Sequence, residues 1–199
     1  MSIVTKDGMK LYKYNLWRKK LKNVPNILAF LRLLLAFLMF FFLVNREAFF
    51  NNIHSSWLDY FAALIFVIAS ITDFFDGYIA RNFDASSKLG EILDPLADKM
   101  LTLGAFLGLV YLHRANAWAI YLILVREFFI TALRIAMVQE GLSVKASFAG
   151  KVKTVSQMGA IGFLLMNWPC ANCLLWIAVI LTLYSGYEYV KVYVKAHNG

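Results

Sequence analysis

Residues 27–44 form an apolar run in which Arg32 is the one ionisable residue. At about 1.5 Å per residue, such a run makes a helix of about 27 Å, enough to cross the hydrocarbon layer of a bilayer. Hydrocarbon offers no water to backbone N–H and C=O groups, so a segment of this kind has to satisfy them internally, as a helix. The pattern recurs. Trp57 to Arg81, Leu89 to Leu112, Trp118 to Val138, Lys151 to about Trp168, and Leu174 to Val194 are predominantly apolar and of spanning length. Pro25 stands just before the first run, where an opening helical turn tolerates it. With 61% hydrophobic residues, 16% charged residues and three prolines, the 199-residue chain is neither an ordinary soluble domain nor a disordered one. The expected fold is all-α and integral to a membrane, with six transmembrane helices in one domain over residues 26–199. No internal repeat is visible.

The net charge of +8 is unevenly placed, because seven of the twenty Lys and Arg residues fall in the first 22 positions. Clustered bases beside a membrane span report orientation and contact with anionic lipid, and they argue against a nucleic-acid partner. Among Lys6, Lys10, Lys13, Arg18, Lys19, Lys20 and Lys22, the residues Leu11, Tyr14 and Trp17 recur at roughly helical spacing. Residues 1–25 are therefore expected to be a basic amphipathic helix at the membrane interface, with a solvated basic tail as the alternative. They lack the cleavage site of a signal peptide. Lys and Arg at the ends of the later spans and in their connectors gather on one side: Arg81, Lys88, Lys145, Lys151, Lys153, Lys191 and Lys195. The opposite loops hold Arg46 and Arg114. The positive-inside bias puts both termini and residues 81–88 on the cytoplasmic side.

The second and third runs meet around an acidic stretch, residues 73–98. Asp73 and Asp76 are i,i+3, and Asp94 and Asp98 are i,i+4, so each pair shares one face of a helix. An ionisable residue at mid-bilayer costs at least about 2.5–3.5 kcal/mol, and two pairs of acids need a common purpose. Both pairs fall at the cytoplasmic ends of their runs. Small residues stand nearby, Gly77 and Ala80 beside the first pair and Gly90 one turn before Asp94, and they let a ligand or a second helix approach. Pro95 should bend the third run. Four carboxylates with no His or Cys nearby are hard oxygen donors, suited to Mg²⁺ or Mn²⁺. Two ions about 3.5–4 Å apart would clamp the oxygens of a phosphoryl displacement. A cation pathway through the membrane is the alternative from a different class.

The full spacing D-x2-D-G-x2-A-R-x8-G-x3-D-x3-D is met by Asp73, Asp76, Gly77, Ala80, Arg81, Gly90, Asp94 and Asp98. It resembles the signature of the CDP-alcohol phosphatidyltransferases, integral membrane enzymes of phospholipid synthesis. The resemblance implies that Asp73, Asp76, Asp94 and Asp98 hold one or two divalent ions, with Asp98 also the general base. It implies further that Asp73, Asp76, Gly77, Ala80, Arg81 and Gly90 bind the CDP portion of CDP-diacylglycerol. The stretch Pro25 to Arg32 resembles the family's opening helix, which favours a place for Arg32 at the polar site over snorkelling to the interface. Glu91 departs from the neutral residue expected beside Gly90.

The second half carries Arg126, Glu127 and Arg134 in the fourth run, and Lys151 and Lys153 at the head of the fifth. Arg126 and Arg134 are i,i+8, on one helix face. Arg forks and Lys point charges suit phosphate oxygens, so Arg126, Arg134, Lys151, Lys153 and Arg32 are the candidate ligands of an acceptor that already carries phosphate. For the lysines, interface snorkelling is the plainer alternative. Residues 126–134, 150–157 and 93–99 also resemble the bacterial branch of the family that uses glycerol 3-phosphate. That implies an enzyme of the bacterial cytoplasmic membrane, its active site cytoplasmic, and a homodimer. Inositol phosphate, inositol and serine are the competing acceptors. Cys170 and Cys173 lie on the far side, where they could pair or remain plain loop residues.

Overall fold

The computed structural model describes residues 24–49, 53–83, 88–140 and 148–197; side chains at 24–25, 74–83, 88–92, 94 and 196–197 are outside the description. The expected interfacial helix over residues 1–25 lies outside the described residues, apart from Val24 and Pro25, which already belong to the first helix. The described chain is helical, with α1 at Val24–Val44, a single turn α2 at Arg46–Phe49, and α3 at Ser55–Phe83. Then follow α4 at Lys88–Tyr111, α5 at Ala117–Gln139, α6 at Phe148–Leu165 and α7 at Ala171–His197. Six of these are long, and each covers one of the apolar runs. Three contain stretches long and apolar enough to cross a membrane by length and composition: 26–44 in α1, 55–73 in α3 and 171–195 in α7. The other long helices carry their charges within their length, at Asp94 and Asp98, at Arg126, Glu127 and Arg134, and at Lys151 and Lys153.

Local chemistry sets the helix ends. The Asn116 side chain accepts from the Trp118 and Ala119 N–H groups at 2.9 and 3.3 Å, capping donors that the first turn of α5 cannot satisfy itself. Asn167 at φ 52° and Cys170 at φ 62° hold left-handed positions between α6 and α7. The α6 helix therefore stops at Leu165, short of the expected Trp168, and α7 begins three residues early. Pro95 lies inside α4, which continues through it.

The described residues divide into two compact units: 24–41 with Leu64–Gly104, and Phe42–Ala63 with 105–197. In the first, α1 buries Ala29, Arg32, Ala36 and Met39, spaced three or four apart along one stripe. A Cβ at Gly104 of α4 would lie 3.6 Å from the Ala36 carbonyl oxygen, so the two backbones run close there.

In the second unit α7 packs along both α5 and α6. Its buried residues include Leu175, Ala178, Val179, Thr182, Ser185 and Tyr189, which follow the helical period. Buried Gln157 donates to the Thr182 hydroxyl at 2.8 Å across the α6–α7 seam, which satisfies two polar groups that burial would otherwise penalise. At the opposite end, Asp59 of α3 accepts from Arg46 at 2.6 Å and from Arg114 at 2.9 Å. Arg114 also donates to the Leu165 carbonyl at 3.0 Å, so this cluster ties α3 to α2, to the connector before α5 and to the end of α6. Edge-on aromatic pairs Trp57–Tyr60, Trp118–Tyr121 and Phe163–Trp168 occur at the first turns of α3 and α5 and the end of α6.

Candidate active site

The acidic motif belongs to the first unit. Asp73 sits in α3, and a carboxylate oxygen lies 2.6 Å from an Arg32 terminal nitrogen reaching over from α1. The Arg32 side chain is 0% exposed while that of Asp73 is 37% exposed. Arg32 therefore does not snorkel to the interface; it turns inward and pairs with the first acid of the motif. A cation this deeply buried needs a counter-charge, and Asp73 supplies it while keeping an accessible edge.

Asp98, on α4, is half-buried, and one turn on the Thr102 hydroxyl donates to its backbone carbonyl at 3.1 Å. Residues 73–83 and 88–98 are helical throughout, so the i,i+3 and i,i+4 registers that the motif requires are both realised in the backbone. The side chains of Asp76, Gly77, Ala80, Arg81, Gly90, Glu91 and Asp94 lie outside the described residues. Among the described residues no three His, Cys, Asp or Glu side chains gather to hold a metal. By residue type, the four aspartates of the motif offer carboxylate oxygens, the donors that hard divalent cations take.

The basic residues belong to the second unit. One Glu127 oxygen accepts from Lys153 of α6 at 2.5 Å and from Arg126 at 3.2 Å, so a single carboxylate joins two of the predicted cations. Arg126 reaches α7 as well, where its other terminal nitrogen donates to the Ser185 hydroxyl at 2.9 Å. The Lys153 and Arg126 side chains are 11% and 10% exposed, too buried for lipid-interface snorkelling. Among the described residues of the cluster two cations meet one carboxylate, a balance that suits a phosphate. Arg134, two turns beyond Arg126, is exposed; its Nε donates to the Tyr189 hydroxyl at 3.3 Å, and its guanidinium lies 5.7 Å from the ring centre. Lys151 is exposed at the head of α6.

Sequence reasoning missed the contribution of α7. Ser185, Gly186 and Tyr189 meet the predicted arginines, yet a small polar residue or a tyrosine in an apolar helix carries no local signal of its partner. Glu127 was legible only as a carboxylate next to an arginine.

The family model for CDP-alcohol phosphatidyltransferase matches residues 22–184. This chain belongs to the CDP-alcohol phosphatidyltransferase family. The match takes in the acidic motif of this phosphatidyltransferase and the four cations of α5 and α6, and it stops one residue before Ser185. Among relatives, a Bacillus subtilis protein named CDP-diacylglycerol--glycerol-3-phosphate 3-phosphatidyltransferase is 42% identical over 135 residues, 64% of this chain and 70% of its own. A Rickettsia felis protein of the same name is 36% identical over 181 residues, 85% of this chain and 94% of its own. A Mycobacterium tuberculosis protein named "Probable phosphatidylglycerophosphate synthase" is 37% identical over 180 residues, 87% of this chain and 82% of its own.

Proposed function

We propose that this phosphatidyltransferase moves the phosphatidyl group of CDP-diacylglycerol onto sn-glycerol 3-phosphate, giving phosphatidylglycerophosphate and CMP. The observation that carries the reading is the enzyme name shared by the Bacillus and Rickettsia relatives, the second aligned over 94% of its length. The half-buried Arg126–Glu127–Lys153 cluster supports an acceptor that brings its own phosphate, which inositol and serine lack.

In this reading the acceptor's free hydroxyl oxygen attacks the phosphorus that bears the diacylglycerol. A new P–O bond forms there as the bond to CMP breaks. Asp98 takes the hydroxyl proton. Asp73, Asp76, Asp94 and Asp98 are the residues that would hold Mg²⁺ or Mn²⁺, as one or two ions. A divalent cation bound there supplies neutralisation of the negative charge on the diphosphate. Arg32 holds Asp73 in place from the side. Gly77, Ala80, Arg81 and Gly90, with Asp73 and Asp76, form the CDP subsite, while Arg126, Lys153, Arg134 and Lys151 receive the acceptor's phosphate. The ion pair with Asp73 makes Arg32 an organiser of the acidic end, and a direct phosphate contact from it is the second part of its proposed role.

All six long helices cross a bacterial cytoplasmic membrane in this reading. Both termini and the active site are cytoplasmic, residues 1–23 lie on the anionic lipid surface, and the enzyme is a homodimer. The Lys and Arg bias supports the orientation. The aromatic pairs at the ends of α3, α5 and α6 suit a membrane–water interface, where Trp and Tyr collect. Mass spectrometry of the lipid made by the purified protein from CDP-diacylglycerol and glycerol 3-phosphate tests the reaction. Phosphatidylglycerophosphate is the expected product, and its absence under metal-replete conditions overturns the reading.

A further inference from the structure

We propose that Ser185 and Gly186 of α7 are positioning residues for Arg126, and so set the affinity for the acceptor's phosphate. The inference rests on the reading of Arg126 as a ligand of that phosphate. An arginine side chain has a long flexible stem, and binding through its planar fork is efficient only when the plane is held beforehand. Here it is held from three sides. Ser185 accepts from one terminal nitrogen at 2.9 Å, and Glu127 from the other at 3.2 Å. These contacts take one N–H from each terminal nitrogen and leave the second on each for a ligand.

Gly186 supplies the third side. A Cβ there would stand 3.1 Å from the Arg126 Nε and 3.2 Å from its Cγ, closer than ordinary van der Waals contact. The Arg126 stem thus lies against the bare backbone of α7, and its Nε is buried with no hydrogen-bond partner. The contact falls on the middle of the stem, so added bulk shifts the whole fork instead of bending its tip. A buried donor left unsatisfied is costly, so this placement of Arg126 is held by its other contacts. The cost is understandable if the position of the fork matters. Neither residue carries a charge or reacts, and each acts only through Arg126.

Steady-state kinetics of the full-length enzyme in detergent, with glycerol 3-phosphate and CDP-diacylglycerol varied separately, test this. Ser185→Ala and Gly186→Ala are each expected to raise the KM for glycerol 3-phosphate about three- to tenfold, with kcat and the KM for CDP-diacylglycerol changed less than about twofold. Ser185→Thr, which keeps the acceptor oxygen, should hold the glycerol 3-phosphate KM near the starting value. Adding Ser185→Ala to Arg126→Ala should have no further effect, because the residue it positions is gone. If Arg126→Ala raises that KM while Ser185→Ala and Gly186→Ala do not, the inference is overturned and the acceptor site stands. Equal changes in both KM values and kcat, with a lowered Tm, would mean simple packing and also overturn it. An unchanged KM in Arg126→Ala overturns the reading of the acceptor site itself, and this inference with it.

Discussion

Arg32 is completely buried in α1 and lies 2.6 Å from the Asp73 carboxylate of α3, so a cation of the opening helix anchors the first acid of the motif. Arginine suits this role because its charge persists under burial and its fork fixes the carboxylate's orientation. The arrangement joins the most apolar helix of the chain to its most acidic stretch.

Removing that cation should be costly. Arg32→Ala is expected to lose about 1–3 kcal/mol of stability, less than for a fully buried pair because Asp73 keeps contact with solvent, and to lower activity more than about tenfold. Thermal unfolding in detergent and CMP release check the two effects. Wild-type Tm and turnover in the variant would remove Arg32 from the site.

Asp98→Asn keeps the shape of the side chain and removes its basicity. Turnover should fall by about 10²–10⁴-fold, the usual contribution of a general base, while CDP-diacylglycerol binding changes little. Single-turnover rates and equilibrium binding of the lipid nucleotide measure these separately. Normal turnover would assign the proton to another group.

The two lysines at the head of α6 should differ. Lys153 shares the Glu127 oxygen with Arg126, whereas Lys151 is exposed. Lys153→Ala is expected to raise the KM for glycerol 3-phosphate about tenfold or more, and Lys151→Ala less than about threefold. Equal effects would mean that both lysines reach the acceptor.

Gly108 of α4 is a test of packing without chemistry. A Cβ there would fall 2.6 Å from the Leu43 Cδ1 and 2.9 Å from its Cβ, inside contact distance. Gly108→Ala should destabilise by about 1–3 kcal/mol, and its cost should be smaller in a Leu43→Ala background, although Leu43→Ala is itself destabilising. A double-mutant cycle on Tm reads the coupling, and strict additivity would show that the two helices adjust freely.

The helices were readable from sequence because each apolar run is long and is broken by polar connectors, and hydrocarbon admits little else but helix. Their ends were less so. Asn167 and Cys170 take left-handed positions that shift the α6–α7 turn, and an asparagine or cysteine in a loop does not announce that. The acid spacing was legible because i,i+3 and i,i+4 relations are local. Contacts between residues distant in the chain were not. Asp59 meets Arg46 and Arg114 across 13 and 55 positions, and Arg126 meets Ser185 across 59, with no periodicity to link them. Arg32 was readable as a charge in a span, but its partner became visible only when α1 and α3 were seen side by side.

The most direct test of the proposed reaction is CMP release by the purified protein with CDP-diacylglycerol and Mg²⁺ or Mn²⁺. Glycerol 3-phosphate, inositol phosphate, inositol and serine would be compared, each with and without a chelator. Release with glycerol 3-phosphate alone, abolished by the chelator, is the predicted result. Release with a different acceptor, or release that survives the chelator, would contradict it.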